Sequence, residues 1–348
     1  MEIIDTHVHF WDPRSTPRAV SPLVRYLGFH EGLVDWLASK LTPQDVLNFY
    51  ASTENITRKY LPSSIAEDHY DHHVSGIVHV EAGWEGNDER SCVDETTWVE
   101  GLRTSPDSHI AAIVGRVKLD LGVEVREILE QHISSSSRLR GVREVLFWHQ
   151  DPRIMNGAQF AEQSRKSSWR EGFEQLAEFG LHFEATIYSS QLLELAELAA
   201  AYPDQPIVLC HLGIPVACGG PFLGIGTSKS ERSERFRRWA DGMLALASNK
   251  NVHVKLSGLS MPVVGFGYEE RVQRPSFEEV SENMIQFIST AVECFGVNRC
   301  MFGSNYPIDR VALNYGVLVD SLKHVLNTLE VSDIDAIFRA NAHRFYRL

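Results

Sequence analysis

Three histidines stand at the ends of apolar segments of this 348-residue chain. His7 and His9 end the segment EIIDTHVH, and their spacing of two residues directs both side chains to the same side of a strand. His211 follows the apolar segment PIVLC. Imidazoles that converge on one point can hold a divalent metal ion, or activate a water molecule beside a polarised carbonyl group. All three are therefore candidate catalytic residues and also candidate metal ligands.

The segment FGSNYPID adds an amide and a carboxylate to this set. Asn305 follows the last apolar segment of the chain, and Asp309 lies four residues further on. An amide cannot act as a general base and is a weak metal ligand, so we expect Asn305 to hold the water or the substrate. Asp309 is a candidate for the base that Asn305 cannot supply.

Arg143 is a charged residue inside the apolar segment RGVREVL. A buried guanidinium needs a carboxylate partner, and the adjacent Glu144 points to the opposite face of a strand. Glu81, Glu184 and a carboxylate of the substrate remain as alternatives. Other polar or aromatic side chains also follow apolar segments. The candidate substrate-binding residues are Arg143, Glu81, Trp84, Trp148, His149 and Tyr306.

The elements that position these residues follow a repeating pattern. Eight short apolar segments, each a predicted strand, alternate with stretches of helical periodicity, which is typical of a parallel sheet covered by helices. The strands are predicted at 2–9, 75–81, 109–117, 140–146, 181–188, 206–211, 251–257 and 299–304. No GxGxxG motif follows the first strand, so the pattern favours an α/β fold of the closed (β/α)8 type, a TIM-like barrel, over a dinucleotide-binding sheet. The candidate residues then meet at the C-terminal mouth of the barrel.

The length of the chain beyond a minimal barrel lies mainly in three insertions. Residues 10–74, 212–232 and 258–280 follow strands 1, 6 and 7, so they fall on the catalytic face. We expect residues 1–348 to form one barrel domain, with 10–74 as a loop and helical insertion over the active-site face.

Composition excludes several classes of protein. The hydrophobic fraction of 43% can form a large core, and the net charge of −13 disfavours nucleic acid and anionic membranes as partners. The five cysteines form no CxxC pair, and the N-terminus resembles no signal peptide. We expect a cytoplasmic enzyme with a small-molecule substrate, for which homo-oligomerisation stays open.

The motifs IDTHVHFWDP, VHVEAGW, GVREVLFWHQDP, VLCHLGIPV, VHVKLSGL and FGSNYPID resemble those of amidohydrolase-related family 2. The similarity extends to its lactonase branch, which includes sugar-acid lactonases and pyrone-dicarboxylate and muconolactone hydrolases. It implies that His7 and His9 are the family's HxH pair, His211 its strand-6 histidine and Arg143 its strand-4 arginine. The family pattern carries Asp in FGSDWP where this chain has Asn305.

What the resemblance implies is a barrel that hydrolyses a lactone or a related carboxylic ester, and the substrate could itself bear a carboxylate. Members of the wider superfamily bind one or two zinc ions, whereas lactonases of this branch often work without a metal. The expected cofactor is therefore either none or one divalent metal, with zinc the first choice. A metal-dependent non-oxidative decarboxylase and a catalytically silent binding protein are the alternatives.

Overall fold

The computed structural model describes all 348 residues. Eight strands form one sheet in which each strand pairs in parallel with the next along the chain. They are β1 (Glu2–Val8), β2 (His73–Val80), β3 (Ile110–Arg116), β4 (Leu139–Val145), β5 (His182–Thr186), β6 (Ile207–Leu209), β7 (Val252–Leu256) and β8 (Cys300–Phe302). The N–H of Asn305 donates to the His7 carbonyl (2.9 Å), and the N–H of His9 donates to the Tyr306 carbonyl (2.8 Å). These bonds join the segment after β8 to β1, so the prediction of a (β/α)8 barrel is confirmed.

Fourteen α-helices accompany the strands. Five precede β2: α1 (Ser21–Leu27), α2 (Glu31–Leu41), α3 (Gln44–Tyr50), α4 (Glu54–Thr57) and α5 (Pro62–His69). Between the other strands lie α6 (Cys92–Glu100), α7 (Val125–Ser135), α8 (Ser167–Glu178), α9 (Leu192–Ala201), α10 (Lys229–Ala247) and α11 (Phe277–Phe295). After β8 come α12 (Tyr315–Val325), α13 (Val331–Asp335) and α14 (Asn341–Tyr346). No helix is both long and apolar enough to cross a membrane.

The apolar core has two parts because the strands bury both of their faces. The larger cluster fills the layer between the strands and the surrounding helices. The smaller one includes Ile4, Val78, Val114, Val208 and Met301 from five strands, together with Tyr346 from α14. The C-terminal helix therefore packs its tyrosine against residues of several strands at once, where that side chain can also reach the polar residues of the barrel.

The segment between β1 and β2 is tied to the mouth of the barrel. Trp11, near the start of the segment, and Tyr60, between α4 and α5, exchange backbone hydrogen bonds of 2.9 and 2.8 Å. Within it, Asn48 donates to the Arg153 carbonyl (3.0 Å), and Asn55 donates to the Ile308 carbonyl (3.3 Å). These contacts hold α3 and α4 against the loops that follow β4 and β8.

Candidate active site

A cavity of about 820 Å³ lies between the strand ends and helices α1 to α4. Its polar lining includes His9, Glu81, Arg143, His211 and Asn305, which come from the ends of five different strands. Each of these five side chains is buried. The cavity therefore gathers most of the polar residues that the strand ends predicted.

His9 and His211 present unpaired ring nitrogens to this cavity. His9 Nδ1 lies 2.8 Å from the Val80 carbonyl oxygen and 3.1 Å from that of Glu81. Carbonyl oxygens only accept, so Nδ1 carries the proton and Nε2 carries the lone pair. His211 Nδ1 contacts Ser257 Oγ at 2.9 Å, which leaves its Nε2 without a protein partner. Burial lowers the pKa of His9 to about 3 and the pKa of His211 well below its ordinary value, so both rings are neutral at pH 7.

His7 lies directly beside these two histidines, with ring centroids 4.9 Å from His9 and 4.3 Å from His211. Its Nε2 is 3.3 Å from Arg143 Nη1, and its Nδ1 is 3.3 Å from Lys255 Nζ. Burial, reinforced by Lys255, lowers the pKa of His7 well below its ordinary value. A neutral imidazole has one acceptor nitrogen, so His7 accepts from one of the two cations at a time. It is a supporting ring and does not line the cavity.

Arg143 pairs with Glu81, one of the three alternatives that the sequence left open. Arg143 Nε donates to Glu81 Oε1 at 2.8 Å, and Nη2 lies 2.6 Å from the same oxygen. Arg143 Nη2 also donates to the Glu81 carbonyl at 2.7 Å. Burial opposes the ionisation of Glu81, but Arg143 and then Arg116 outweigh it and hold the pKa of Glu81 at about 2. The guanidinium is thus fixed in direction, with Nη1 left for His7 and the cavity.

A second buried ion pair lies on the other side of His7. Lys255 Nζ is 2.6 Å from Glu184 Oε2, and both side chains are fully buried. Tyr346 donates its hydroxyl proton to Glu184 Oε1 at 2.7 Å, and His182 Nε2 is 3.3 Å from the same oxygen. Burial opposes the ionisation of Glu184, but Lys255 outweighs it and lowers the pKa of that carboxyl below its usual range. Neither Lys255 nor Glu184 lines the cavity.

Asn305 and Asp309 form one unit in the turn after β8. Asn305 adopts a left-handed conformation (φ 60°), and its Nδ2 donates to Asp309 Oδ1 at 3.0 Å. The other carboxyl oxygen of Asp309 is buried without a partner, and burial raises the pKa of Asp309 to about 7. Asn305 lines the cavity and Asp309 stands behind it. The carboxyl group thus orients the amide.

The turn after β6 positions His211 through an unusual backbone. His211 and Leu212 both have positive φ angles, of 54° and 55°. Such angles are disfavoured for residues with a Cβ and persist only where the surroundings impose them. Gly258 (φ 71°) makes room for this turn, because a Cβ at that position would lie 2.6 Å from the Cβ of His211.

The model of the family described as amidohydrolase matches residues 4–348. This chain belongs to the amidohydrolase family. It is 29% identical to the uncharacterised protein y4mH of Sinorhizobium fredii, over 99% of this chain and 98% of that protein. It is 26% identical to an L-fucono-1,5-lactonase of Burkholderia ambifaria, over 74% of this chain and 82% of that enzyme. Among solved structures, an amidohydrolase of Burkholderia multivorans with bound zinc aligns over the whole of both chains with a TM-score of 0.68 at 20% identity.

Four other residues proposed from the sequence lie around this amidohydrolase's cavity without lining it. Trp84 is half-buried, with its ring 6.4 Å from that of Trp98. His149 is also half-buried, with its ring 6.3 Å from that of Tyr188. Trp148 is fixed through its backbone N–H, which donates to Gln191 (2.9 Å). Tyr306 is fully buried and donates to the Leu313 carbonyl at 2.6 Å.

The amidohydrolase also has functional candidates that the sequence did not assign to the site. Lys255, like Arg143, is a charged residue within an apolar strand, but only the structure shows that its ion-pair partner is Glu184. Arg18 and Arg116 both line the cavity, and neither forms an ion pair with a carboxylate. They donate to the carbonyl oxygens of Ala82 and Trp84 respectively. The same cavity has an apolar wall that includes Leu23, Leu41, Val46, Phe49, Ile56 and Phe147.

A group of donor atoms suited to a metal ion exists in this amidohydrolase, at a place different from the predicted one. Three donor atoms, one each from His7, Glu184 and Cys210, lie within 4.8 Å of one another. The ring nitrogens of His7, His9 and His211, the predicted metal ligands, form no such group. The Lys255 ammonium contacts two of the three donors, Glu184 and His7. A divalent ion does not fit among these donors while that cation is in place.

Proposed function

We propose that this amidohydrolase hydrolyses a lactone or a related carboxylic ester at the mouth of its barrel. One observation carries the proposal. Two neutral imidazoles, His9 and His211, line the same cavity as the fixed guanidinium of Arg143. Proton acceptors beside a cationic donor are what the attack of water on a carbonyl group requires.

The two histidines would hold and activate the water. His9 Nε2 bears a lone pair because its Nδ1 donates to carbonyl oxygens, so this ring can accept a hydrogen bond but cannot polarise the substrate carbonyl. The Ser257 hydroxyl can accept a hydrogen bond from Nδ1–H of His211, and in the tautomer that makes this bond His211 has the same polarity as His9. A water molecule between the two nitrogens would donate one hydrogen bond to each. His211 would then take the proton as the water oxygen bonds to the carbonyl carbon.

Arg143 would stabilise the negative charge that develops on the carbonyl oxygen. Its Nε and Nη2 are committed to Glu81, so the free N–H of Nη1 is held in a constant direction. A donor fixed before the reaction gains more in the transition state than one that must reorient. Collapse of the tetrahedral intermediate breaks the bond to the ring oxygen, and the imidazolium of His211 returns its proton to that alkoxide.

Asn305 would orient the water or the substrate rather than accept a proton. Its Nδ2 is committed to Asp309, so its Oδ1 is the atom available to the cavity. Asp309, with a pKa raised by burial to about 7, carries its negative charge only in the upper part of the neutral range. Ionised Asp309 would hold the amide more firmly than the protonated acid does.

The substrate we propose carries an anionic group. Arg18 and Arg116 line the cavity without a carboxylate partner, and an arginine is suited to bind a carboxylate through two parallel hydrogen bonds. The lining also contains carboxylate residues such as Glu85 and Glu89, and the chain has a net charge of −13, so these two arginines are the groups on which an anion would bind. A carboxylate-bearing lactone would place that group on the arginines and its ring against the apolar wall.

The proposal is tested by the release of acid from a panel of lactones. The panel contains neutral sugar-acid lactones, carboxylate-bearing lactones and simple aryl esters, and proton release is followed with a pH indicator. We expect hydrolysis of at least one lactone, with kcat/KM reduced at least about 100-fold by His211→Ala and by His9→Ala. Unchanged hydrolysis in both variants would refute the assignment.

Two further variants separate the alternatives. Asn305→Asp restores the carboxylate of the family pattern, and we expect it to lower lactone hydrolysis because a negative charge replaces the amide beside the water. A large rise would instead show that Asn305 silences the site. Release of carbon dioxide from an aromatic carboxylate, without lactone hydrolysis, would favour the decarboxylase.

A further inference from the structure

The buried amine of Lys255 stands in a group of donors that would otherwise suit a metal ion. His7, Glu184 and Cys210 each contribute one donor atom, all within 4.8 Å of one another, and all three side chains are buried. Lys255 Nζ lies 2.6 Å from Glu184 Oε2 and 3.3 Å from His7 Nδ1. Cys210 Sγ donates to the same Glu184 oxygen at 3.4 Å.

The chemistry of these donors is that of a zinc site. Imidazole nitrogen, carboxylate oxygen and thiolate sulfur are the three ligand types that zinc prefers in proteins. Zinc-to-ligand bonds of ~2.0–2.3 Å place tetrahedral ligands ~3.3–3.8 Å apart, so donors within 4.8 Å need only small movements. The side chain of Lys255 is itself fully buried, and its removal would leave space beside these donors.

We infer that Lys255 is the resident cation of this donor group. Its ammonium takes the position of a metal ion, excludes divalent ions from it and balances the charge of Glu184. Removal of the amine opens a zinc site formed by His7, Glu184 and Cys210 that the wild-type chain does not offer. On binding, the Cys210 thiol would lose its proton to solvent as the zinc–sulfur bond forms.

The surroundings of the group support this assignment. Tyr346 and His182 contact only the other carboxylate oxygen of Glu184, Oε1, so Oε2 is left to Lys255 and Cys210. On the far side of His7, Arg143 is committed to Glu81 and does not reach Glu184 through a hydrogen bond. Lys255 is therefore the cation that keeps this pocket of donors closed to metal.

Cobalt(II) uptake tests the inference without using activity, because a thiolate bound to cobalt gives a charge-transfer band in the near ultraviolet. The wild-type chain, Lys255→Ala and the double variant Lys255→Ala/Cys210→Ser are each titrated with cobalt and then with zinc. We expect the band only in Lys255→Ala, its disappearance when zinc displaces cobalt, and about one zinc per chain retained in that variant. Lys255→Met, which removes the charge but fills the space, is the matched control and should show no band.

Several outcomes would overturn the inference. One is a thiolate band in the wild-type chain that is lost in Cys210→Ser, and another is its absence from folded Lys255→Ala. If Lys255→Ala does not accumulate as folded protein, Lys255→Ser takes its place, because its hydroxyl leaves a polar group at the edge of the vacated space. Zinc should then raise the melting temperature of Lys255→Ser and leave that of Lys255→Ser/Cys210→Ser unchanged. Equal responses in these two variants would contradict a site that contains Cys210.

Discussion

Two buried ion pairs flank His7, and they differ in what else they can reach. Arg143 and Glu81 stand on one side and line the cavity, whereas Lys255 and Glu184 stand on the other and do not. The two cations are equally close to the ring, at 3.3 Å from its two nitrogens. The same imidazole is therefore held between a guanidinium that can meet substrate and an ammonium sealed in the protein.

The difference suggests a division of labour between the two pairs. Arginine keeps its charge and offers several donors in a rigid plane, so Arg143 can bind Glu81 and still present Nη1 to the cavity. Lysine carries a compact point charge. This suits the position of Lys255, where donor atoms of His7, Glu184 and Cys210 converge and no substrate has to be bound. We expect changes at the first pair to appear mainly in catalysis and changes at the second mainly in stability.

Lys255→Met should have the largest effect on stability. It leaves the carboxylate of Glu184 buried without its cation, which costs ~3–5 kcal/mol when one partner of a buried pair is removed. Urea unfolding measures this loss. Lys255→Met/Glu184→Met, which removes both charges, should recover much of it. A single variant as stable as the wild-type chain would show that Glu184 does not depend on Lys255.

Arg143→Lys should have the largest effect on catalysis. A lysine can keep the charge beside Glu81 but not the fixed geometry of the guanidinium, so kcat/KM should fall about 100- to 1000-fold, as for loss of one oxyanion donor. The variant should unfold at nearly the wild-type urea concentration. If Arg143→Lys lost unfolding free energy in proportion to its loss of kcat/KM, the proposed difference in role between the two ion pairs would be contradicted.

Asp309→Asn examines a buried carboxyl group that has no cation. Burial raises the pKa of Asp309 to about 7, so the folded state holds a proton that the unfolded state releases above about pH 4. Asp309 therefore contributes stability below pH 4 that is lost as the pH rises to about 7. The unfolding free energy of wild type minus that of Asp309→Asn should fall by about 3–4 kcal/mol over this range, because each pKa unit corresponds to about 1.4 kcal/mol.

A pH-independent difference between these two proteins would mean that Asp309 is not protonated in the folded state. Glu184 supplies the opposite sign, since its lowered pKa adds stability that is lost as the pH falls below about 4. The pH dependence of unfolding therefore distinguishes Asp309, which is buried without a cation, from Glu184, which is buried beside Lys255.

Tyr346→Phe should have the smallest effect. It removes one hydroxyl donor to the ionised Glu184 and leaves Lys255 in place, so we expect a loss of ~1.5–3 kcal/mol in unfolding free energy. The value of kcat/KM should change less than about twofold, because Tyr346 does not line the cavity. A large fall in kcat at unchanged stability would place Tyr346 in the catalytic machinery.

The barrel and the location of its site could be predicted from local patterns. Apolar strands that alternate with helices determine the fold, and residues that follow such strands, including His9, His211 and Asn305, meet at one end of it. These features depend on sequence spacing alone, which is why the eight predicted strands overlap the observed ones and why His9, His211 and Asn305 line one cavity. The predicted site residues that do not line it are His7, Asp309, Trp84, Trp148, His149 and Tyr306.

The pairing of charges could not be predicted, because it depends on contacts across the barrel. Arg143 lies in register with Glu184 on β5, yet its side chain reaches Glu81 at the end of β2, and Lys255 takes Glu184 instead. The separate roles of His7 and His9 likewise depend on ring orientation. The hydrogen bond from Asn305 to Asp309 is made within a turn in which Asn305 has a left-handed backbone, a conformation that the sequence does not indicate.

The most direct test of the proposed reaction is hydrolysis of the best lactone in oxygen-18-labelled water, with the product analysed by mass spectrometry. If His9 and His211 direct water to the carbonyl carbon, one labelled oxygen enters the new carboxylate in each turnover and the new hydroxyl group stays unlabelled. Label in the hydroxyl group, or an absence of ring opening across the whole panel, would contradict the account.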